Sequence, residues 1–201
     1  EAQFDNVEKG LSNLFTEAWV PWYTMHKIFE GLTETYELTG YEPALEIAKK
    51  LGDWVYNRVS GWSEETRNTV LSIEYGGMND ALYDLYKLTG EDKYAVAAHA
   101  FDEDSLFELI RTDGKNVLNN RHANTTIPKI IGALKRYEVL DGKEVNGEKV
   151  DASEYLETAE IFWQMVVDHH TYATGGNSEW EHFGEDDVLN RERTNCNCET
   201  C

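Results

Sequence analysis

Basic charge is what this chain has least of: 18 Lys and Arg stand against 38 Asp and Glu, a formal net charge of −20. A field of that sign repels phosphate backbones and anionic lipid, which argues against nucleic acid as a partner. Also missing is any apolar run of the length that a membrane-spanning helix needs, about 18 residues. No membrane partner is therefore expected. The opening residues EAQFDNVEKG offer neither a basic start nor an apolar stretch, so no export leader is visible. Cysteine is absent until Cys196, after which Cys198 and Cys201 follow within six residues. An odd number of thiols packed so closely suits a metal or thiol site better than a disulfide scaffold. Unpaired thiols and the missing leader point to the cytoplasm, with the compartment otherwise open. No stretch reads as a convincing strand.

The chain is rich in aromatic and helical pattern. Its 201 residues suffice for one sizeable core or for part of a larger domain. Six Trp and eleven Tyr are a heavy aromatic load, mostly for the core and in part for a cleft. The spacing predicts a helix from Pro21 to Gly40, with Ile28, Leu32 and Tyr36 recurring every four residues, and a second helix from Pro43 to about Arg58. Fifty residues after Gly40, Leu88-Thr89-Gly90 repeats Leu38-Thr39-Gly40, with Tyr86 standing where Tyr36 stood. HANTTIPKIIGALKRYEVLDG is a looser third copy ending at Gly142, and the partner helices are expected from Glu91 to about Phe101 and from Ser153 to about Asp168. A period of roughly fifty residues made of two helices is the signature of stacked αα-hairpins, in an open solenoid or a closed ring.

Each first helix of a pair begins with a polar and aromatic stretch: Trp22, Tyr23 and His26, then Glu74, Tyr75 and Asn79, then Asn120, His122 and Asn124. Equivalent positions in stacked repeats lie at one end, so these groups are expected to meet at one mouth, together with the loop from Thr174 to Cys201. That last stretch is poor in apolar residues and holds Glu181, His182, Glu185 and Glu199 beside the three cysteines. A glutamate inside C-x-C-x-x-C is half of a plausible zinc site, since zinc takes thiolate, imidazole and carboxylate in sets of four. Cys198 and Cys201 also read as a redox pair, though no strand precedes them. A carboxyl at Glu181 or Glu185, enclosed by Trp180 and Phe183, would be open to the tuning that a general acid needs. His169 and His170 end a helix, where positive charge is favoured, and carry no catalytic assignment.

VPWYTMHKIFEGL, EYGGMNDAL, HANTTIPKIIG, TYATGGNSEWEHF and the closing ETC, in this order, resemble glycoside hydrolase family 127, the β-L-arabinofuranosidase group, over Trp19 to Cys201. The resemblance implies an all-α catalytic domain whose αα-hairpin repeats form part of an (α/α)6 toroid. By the same likeness residues 1–201 are a partial domain, truncated at both ends. It further implies a retaining hydrolase of terminal β-L-arabinofuranosides, with zinc held by a glutamate and three cysteines, one of them the nucleophile. Matched by motif, Glu199 and Cys201 are zinc ligands, Glu181 is the acid/base with Glu185 as runner-up, and His26 and His122 are substrate contacts. Trp22 and Tyr23, from the aromatic leading end, are added as candidate sugar-binding residues. The nucleophile is expected beyond Cys201, and Cys196 and Cys198 are additional to the family pattern. The competing readings are a non-catalytic carbohydrate-binding or structural helical module, and a thiol redox protein acting through Cys198 and Cys201.

Overall fold

Pro21 fixes φ at the first turn of the first long helix, where no intrahelical N–H bond is lost. Gly40 ends that helix in the left-handed region, φ 67°, with its N–H on the Tyr36 carbonyl. Gly90 does the same in the next repeat, φ 67°, with its N–H on the Tyr86 carbonyl. A residue with a Cβ would meet a steric penalty there, which is why the repeated Leu-Thr-Gly works as a stop.

The structure, a computed structural model, describes residues 1–12, 19–112, 114–178 and 180–188. In chain order the elements are α1 (Ala2–Glu8), α2 (Pro21–Thr39), α3 (Glu42–Val59), α4 (Glu64–Leu71), α5 (Met78–Thr89) and α6 (Asp92–His99). There follow α7 (Asp104–Thr112), α8 (Ala123–Leu140), β1 (Glu144–Val145), β2 (Glu148–Lys149), α9 (Ser153–Met165) and a π-helical turn (Val166–His170). The fold is all-α apart from one short hairpin. Three helix pairs, α2 with α3, α5 with α6 and α8 with α9, carry the architecture. The first helices lie side by side, α2 on α5 and α5 on α8, while α3 packs on α6 behind them. Short α4 and α7 occupy the connections between pairs, α4 against α1 and α7 against α9. Ser63 starts α4 as a side-chain cap, its hydroxyl accepting the Thr66 N–H at 3.1 Å.

The core has two parts. The larger joins α1 to α6 around Trp22, Phe29, Tyr75, Met78, Leu82, Leu85, Tyr94 and Phe101, and the smaller joins α7, α8 and α9 around Phe107, Ile110, Ile130, Phe162 and Phe183. Full burial of an aliphatic or aromatic side chain of this size stabilises by about 1.5–3 kcal/mol, so α5, with Met78, Ala81, Leu82 and Leu85 all inaccessible, is the central strut. A buried polar knot locks it to its neighbours. Asp102 accepts from Asn79 Nδ2 at 3.0 Å, Tyr83 Oη at 2.6 Å and Arg136 Nη1 at 2.6 Å. Asn79 also donates to the Lys129 carbonyl at 3.1 Å, tying α5 directly to α8.

Three expectations are corrected. The absence of strands fails at β1 and β2, an antiparallel pair in which Glu144 faces Lys149. Asn146 and Gly147 both turn through positive φ, 51° and 82°, and Asn-Gly is the dipeptide that such a tight hairpin favours. The third repeat does not stop at Gly142: α8 ends at Leu140, the Asp141 N–H goes to the Tyr137 carbonyl, and the Gly142 N–H pairs with Val150 beside the hairpin. The last helix is α-helical only to Met165 and then widens into the π-helical turn, where Thr171 Oγ1 donates to the Val166 carbonyl at 2.7 Å.

Candidate active site

The polar leading ends of the three first helices do meet. The turn entering α5 is the hub: Gly76 has φ 62°, and the Gly77 N–H donates to Nδ1 of His26 at 3.0 Å. A Cβ on Gly76 would lie 2.6 Å from His26 Nδ1, and one on Gly77 2.9 Å from Nε2 and 3.2 Å from Pro128 Cβ. Only a pair of glycines lets the backbone come this close to the imidazole. Tyr75, just before the turn, is wholly buried with the Lys129 ammonium 4.5 Å over its ring. Glu74 is thereby placed beside His122 on a backbone fixed at its C-terminal side.

His122 stands at the N-cap of α8, its carbonyl accepting the Thr126 N–H at 3.0 Å and the Thr126 hydroxyl at 2.8 Å. The segment carrying Glu181 pairs with it in antiparallel fashion, His122 opposite His182. The Ala123 N–H donates to the Glu181 carbonyl at 2.8 Å, and Phe183 and Arg121 exchange a further bond at 2.9 Å. Trp180 and Glu181 both adopt positive φ, 51° and 68°. Each such non-glycine residue costs about 1–2 kcal/mol, and strain of this kind persists where surrounding bonds over-determine it. Here it aims the Glu181 side chain at His122: Glu181 Oε2 lies 3.4 Å from His122 Nε2, while Glu74 Oε1 lies 3.2 Å from His122 Nδ1. Neither contact has the alignment of a hydrogen bond, although both ring nitrogens are shut off from solvent. The His182 ring lies 5.1 Å from that of His122, tilted by 38°.

The remaining expected residues fall into three groups. Tyr23 is partly exposed, its ring 5.8 Å from that of His26. Two of the expected sugar contacts are buried. Trp22, expected to contact sugar, is 1% exposed and packed among Phe4, Trp54, Trp62 and Phe101. His26, also 1% exposed, has its Nδ1 on Gly77 and its Nε2 on Glu30, so it holds the α5 turn rather than facing solvent. In both cases the α2 face that reads as polar and aromatic is the one that packs onto the α5 turn. Phe183 likewise points into the smaller core, so Glu181, more than half exposed, is not enclosed as expected. Glu185 lies in a stretch pinned elsewhere: Asp186 and Asn116 exchange two 2.9 Å bonds, and the Asp187 N–H reaches the His169 carbonyl. His169 and His170 pair with Asp187 at 2.9 Å and Asp186 at 3.2 Å, serving the same anchorage.

Glu199 and Cys201, with Cys196 and Cys198, lie outside the described residues. Among the described residues no group of three or more His, Cys, Asp or Glu side chains could hold a metal ion. Nor is any helix among them long and apolar enough to cross a membrane. Glu74, which the sequence places at a leading end without singling out, and His182 are what the structure adds. Their signal was adjacency, Glu74 to the paired glycines and His182 to Glu181. A family model described as "Beta-L-arabinofuranosidase, GH127 catalytic domain" matches residues 6–201. No curated protein matches the chain.

Proposed function

The chain belongs to glycoside hydrolase family 127, the β-L-arabinofuranosidase catalytic-domain family, and from that premise we propose that it takes part in releasing terminal β-L-arabinofuranosyl residues with retention, Glu181 acting as acid/base. The observation that supports Glu181 over Glu185 is its setting. Two positive-φ residues and the bond from its carbonyl to Ala123 bring its carboxyl to the histidine at the start of α8, beside Glu74 from the turn entering α5. A general acid must reach the leaving oxygen, and a carboxyl more than half exposed can do so. In the first half-reaction it gives its proton to that oxygen; in the second it takes one from the water that frees the sugar. Tyr23, partly exposed, is the candidate sugar contact beside it, and the carbon atoms of the His122 side chain, 19% exposed, border the same face.

Zinc remains part of this reading through Glu199 and Cys201, whose carboxylate and thiolate are zinc donors. The described residues alone supply no shell for it. The cysteine nucleophile is inherited from the same likeness.

The test is hydrolysis of an aryl β-L-arabinofuranoside by the protein that carries this domain. Glu181→Ala is expected to lower kcat by roughly 10²–10⁴-fold with zinc content unchanged, and Glu185→Ala to leave most activity. The reverse pattern would move the acid/base to Glu185. Calorimetric binding of arabinose-containing oligosaccharides without turnover, in the parent protein itself, would instead make the domain a carbohydrate-binding module.

A further inference from the structure

We infer that Glu74 is a positioning residue for this site, holding the His122 ring so that its Nε2 is presented to Glu181. The inference rests on the reading of Glu181 as acid/base. Three observations carry it. The first is that the ring is bracketed, with Glu74 Oε1 3.2 Å from Nδ1 and Glu181 Oε2 3.4 Å from Nε2. The second is that both nitrogens are inaccessible to water, so the two carboxylates are the charged groups that face them. The third is that the backbone is fixed around all three residues: the Gly76-Gly77 turn on His26 holds Glu74, the helix cap holds His122, and the bond from Ala123 to the Glu181 carbonyl holds Glu181.

With the backbones fixed, the freedom left lies in side-chain torsions, and the one that decides what faces Glu181 is the ring torsion of His122, whose side chain is 19% exposed against 38% for Glu74 and 54% for Glu181. A half-turn about Cβ–Cγ exchanges the ring nitrogens with carbons, so Glu181 would face a C–H in place of nitrogen. Such a flip also takes Nδ1 away from Glu74. The Glu74 carboxylate therefore selects one of two nearly isosteric ring orientations, and the packed His182 ring 5.1 Å away limits intermediate ones. A histidine ring nitrogen held by a carboxylate is the usual means of fixing which nitrogen the ring offers on its other side. The nitrogen so offered sets where the Glu181 carboxyl rests between turnovers.

The experiment is a kinetic double-mutant cycle in the parent protein with an aryl β-L-arabinofuranoside, using Glu74→Ala, Glu74→Gln, Glu181→Ala and the Glu74→Ala/Glu181→Ala pair. Glu74→Ala is expected to lower kcat by roughly 10- to 100-fold, the scale of a misplaced catalytic group, with KM changed far less. Glu74→Gln keeps an accepting oxygen and is expected to recover most of that loss. In the Glu181→Ala background, Glu74→Ala is expected to cost no more than roughly threefold further, because the two residues act as one unit. Should Glu181→Ala be crippled while Glu74→Ala costs the same in both backgrounds, or raises KM alone, Glu74 does not act through Glu181 and the inference fails by itself. Should Glu181→Ala keep full activity, the acid/base reading falls, and the inference with it. Glu74 is partly exposed, and if the alanine variant melts early, the cycle is read below its melting temperature: a loss in kcat that Glu74→Gln recovers supports the inference, and an equal loss in both variants, or none in either, overturns it.

Discussion

His26 and Gly77 lie 51 positions apart in the chain and meet at 3.0 Å, imidazole Nδ1 accepting the backbone N–H. This bond joins the first repeat to the second at the end where the candidate active site lies. It also explains why two glycines stand in tandem there. Gly76→Ala would put a Cβ 2.6 Å from His26 Nδ1 on a residue that already has φ 62°. A loss of about 2–4 kcal/mol is expected from overpacking and backbone strain together. Urea unfolding of the variant, with arabinofuranosidase activity followed alongside, would check it; activity should fall even in the folded fraction, because Glu74 moves with the turn.

Trp22 is a packing residue. Its ring sits 4.6 Å from Phe4, 4.9 Å from Phe101 and 5.7 Å from Trp62, all near edge-on. Trp22→Ala is therefore expected to destabilise by about 3–5 kcal/mol, measured by chemical denaturation. Affinity for arabinose-containing oligosaccharides should be retained under conditions where the variant is folded. A large KM change with unaltered stability would contradict this placement.

Asp102 is wholly buried, and its charge is held by its partners. Burial alone would raise its pKa, but the His99 side chain and the Arg136 guanidinium outweigh that and hold it below the ordinary value of 3.8. Because the folded-state pKa is the lower one, the stabilisation is present above the carboxylate range and is lost as pH falls through the folded value. Asp102→Asn leaves Arg136 partly buried without its counter-charge, and a cost of about 3–5 kcal/mol is expected. Melting curves at neutral and strongly acidic pH check this: the gap between parent and variant should narrow on acidification.

Asp80 behaves in the opposite sense. Burial first, and then the neighbouring Asp84, push its carboxyl up to about 7, with Glu30 and Glu138 adding and Lys135 opposing. Its folded-state pKa exceeds the unfolded one, so its contribution is fully present below the unfolded value and fades as pH rises through about 7. Asp80→Asn should raise the melting temperature by a few degrees above neutrality, about 2–4 °C per kcal/mol for a chain of this length. Near the unfolded carboxylate pKa it should change little. A thermal melt series across pH distinguishes this from a uniform effect.

Much of the fold was legible because it is written in local chemistry. Pro21, Gly40 and Gly90 act through their own φ angles, and the fourfold spacing of Ile28, Leu32 and Tyr36 needs only helical geometry. Short α4 and α7 escaped because each is a connection of two or so turns that falls outside the fifty-residue repeat, although Leu106, Phe107 and Ile110 of α7 already share one helical face. The hairpin escaped although Asn146-Gly147 announces it, since strands of two residues show no alternation. The third stop at Gly142 was misplaced because its N–H is taken by Val150, a partner that only the hairpin brings near.

The sequence by itself determined an all-α chain of repeated helix pairs and its family, because periodicity, caps and repeat spacing are properties of the chain read along its length. Only the tertiary structure decided which of the polar groups at the leading ends stay near the surface and which turn inward. Trp22 and His26 share a helix end with Tyr23, yet the close approach of the Gly76-Gly77 backbone and the ring of aromatic neighbours draws both inward. Glu74, His122 and Glu181, far apart in the chain, are brought together by helix packing and two strained residues. Which side of a helix becomes interior depends on what arrives from elsewhere in the chain, and no local pattern carries that information.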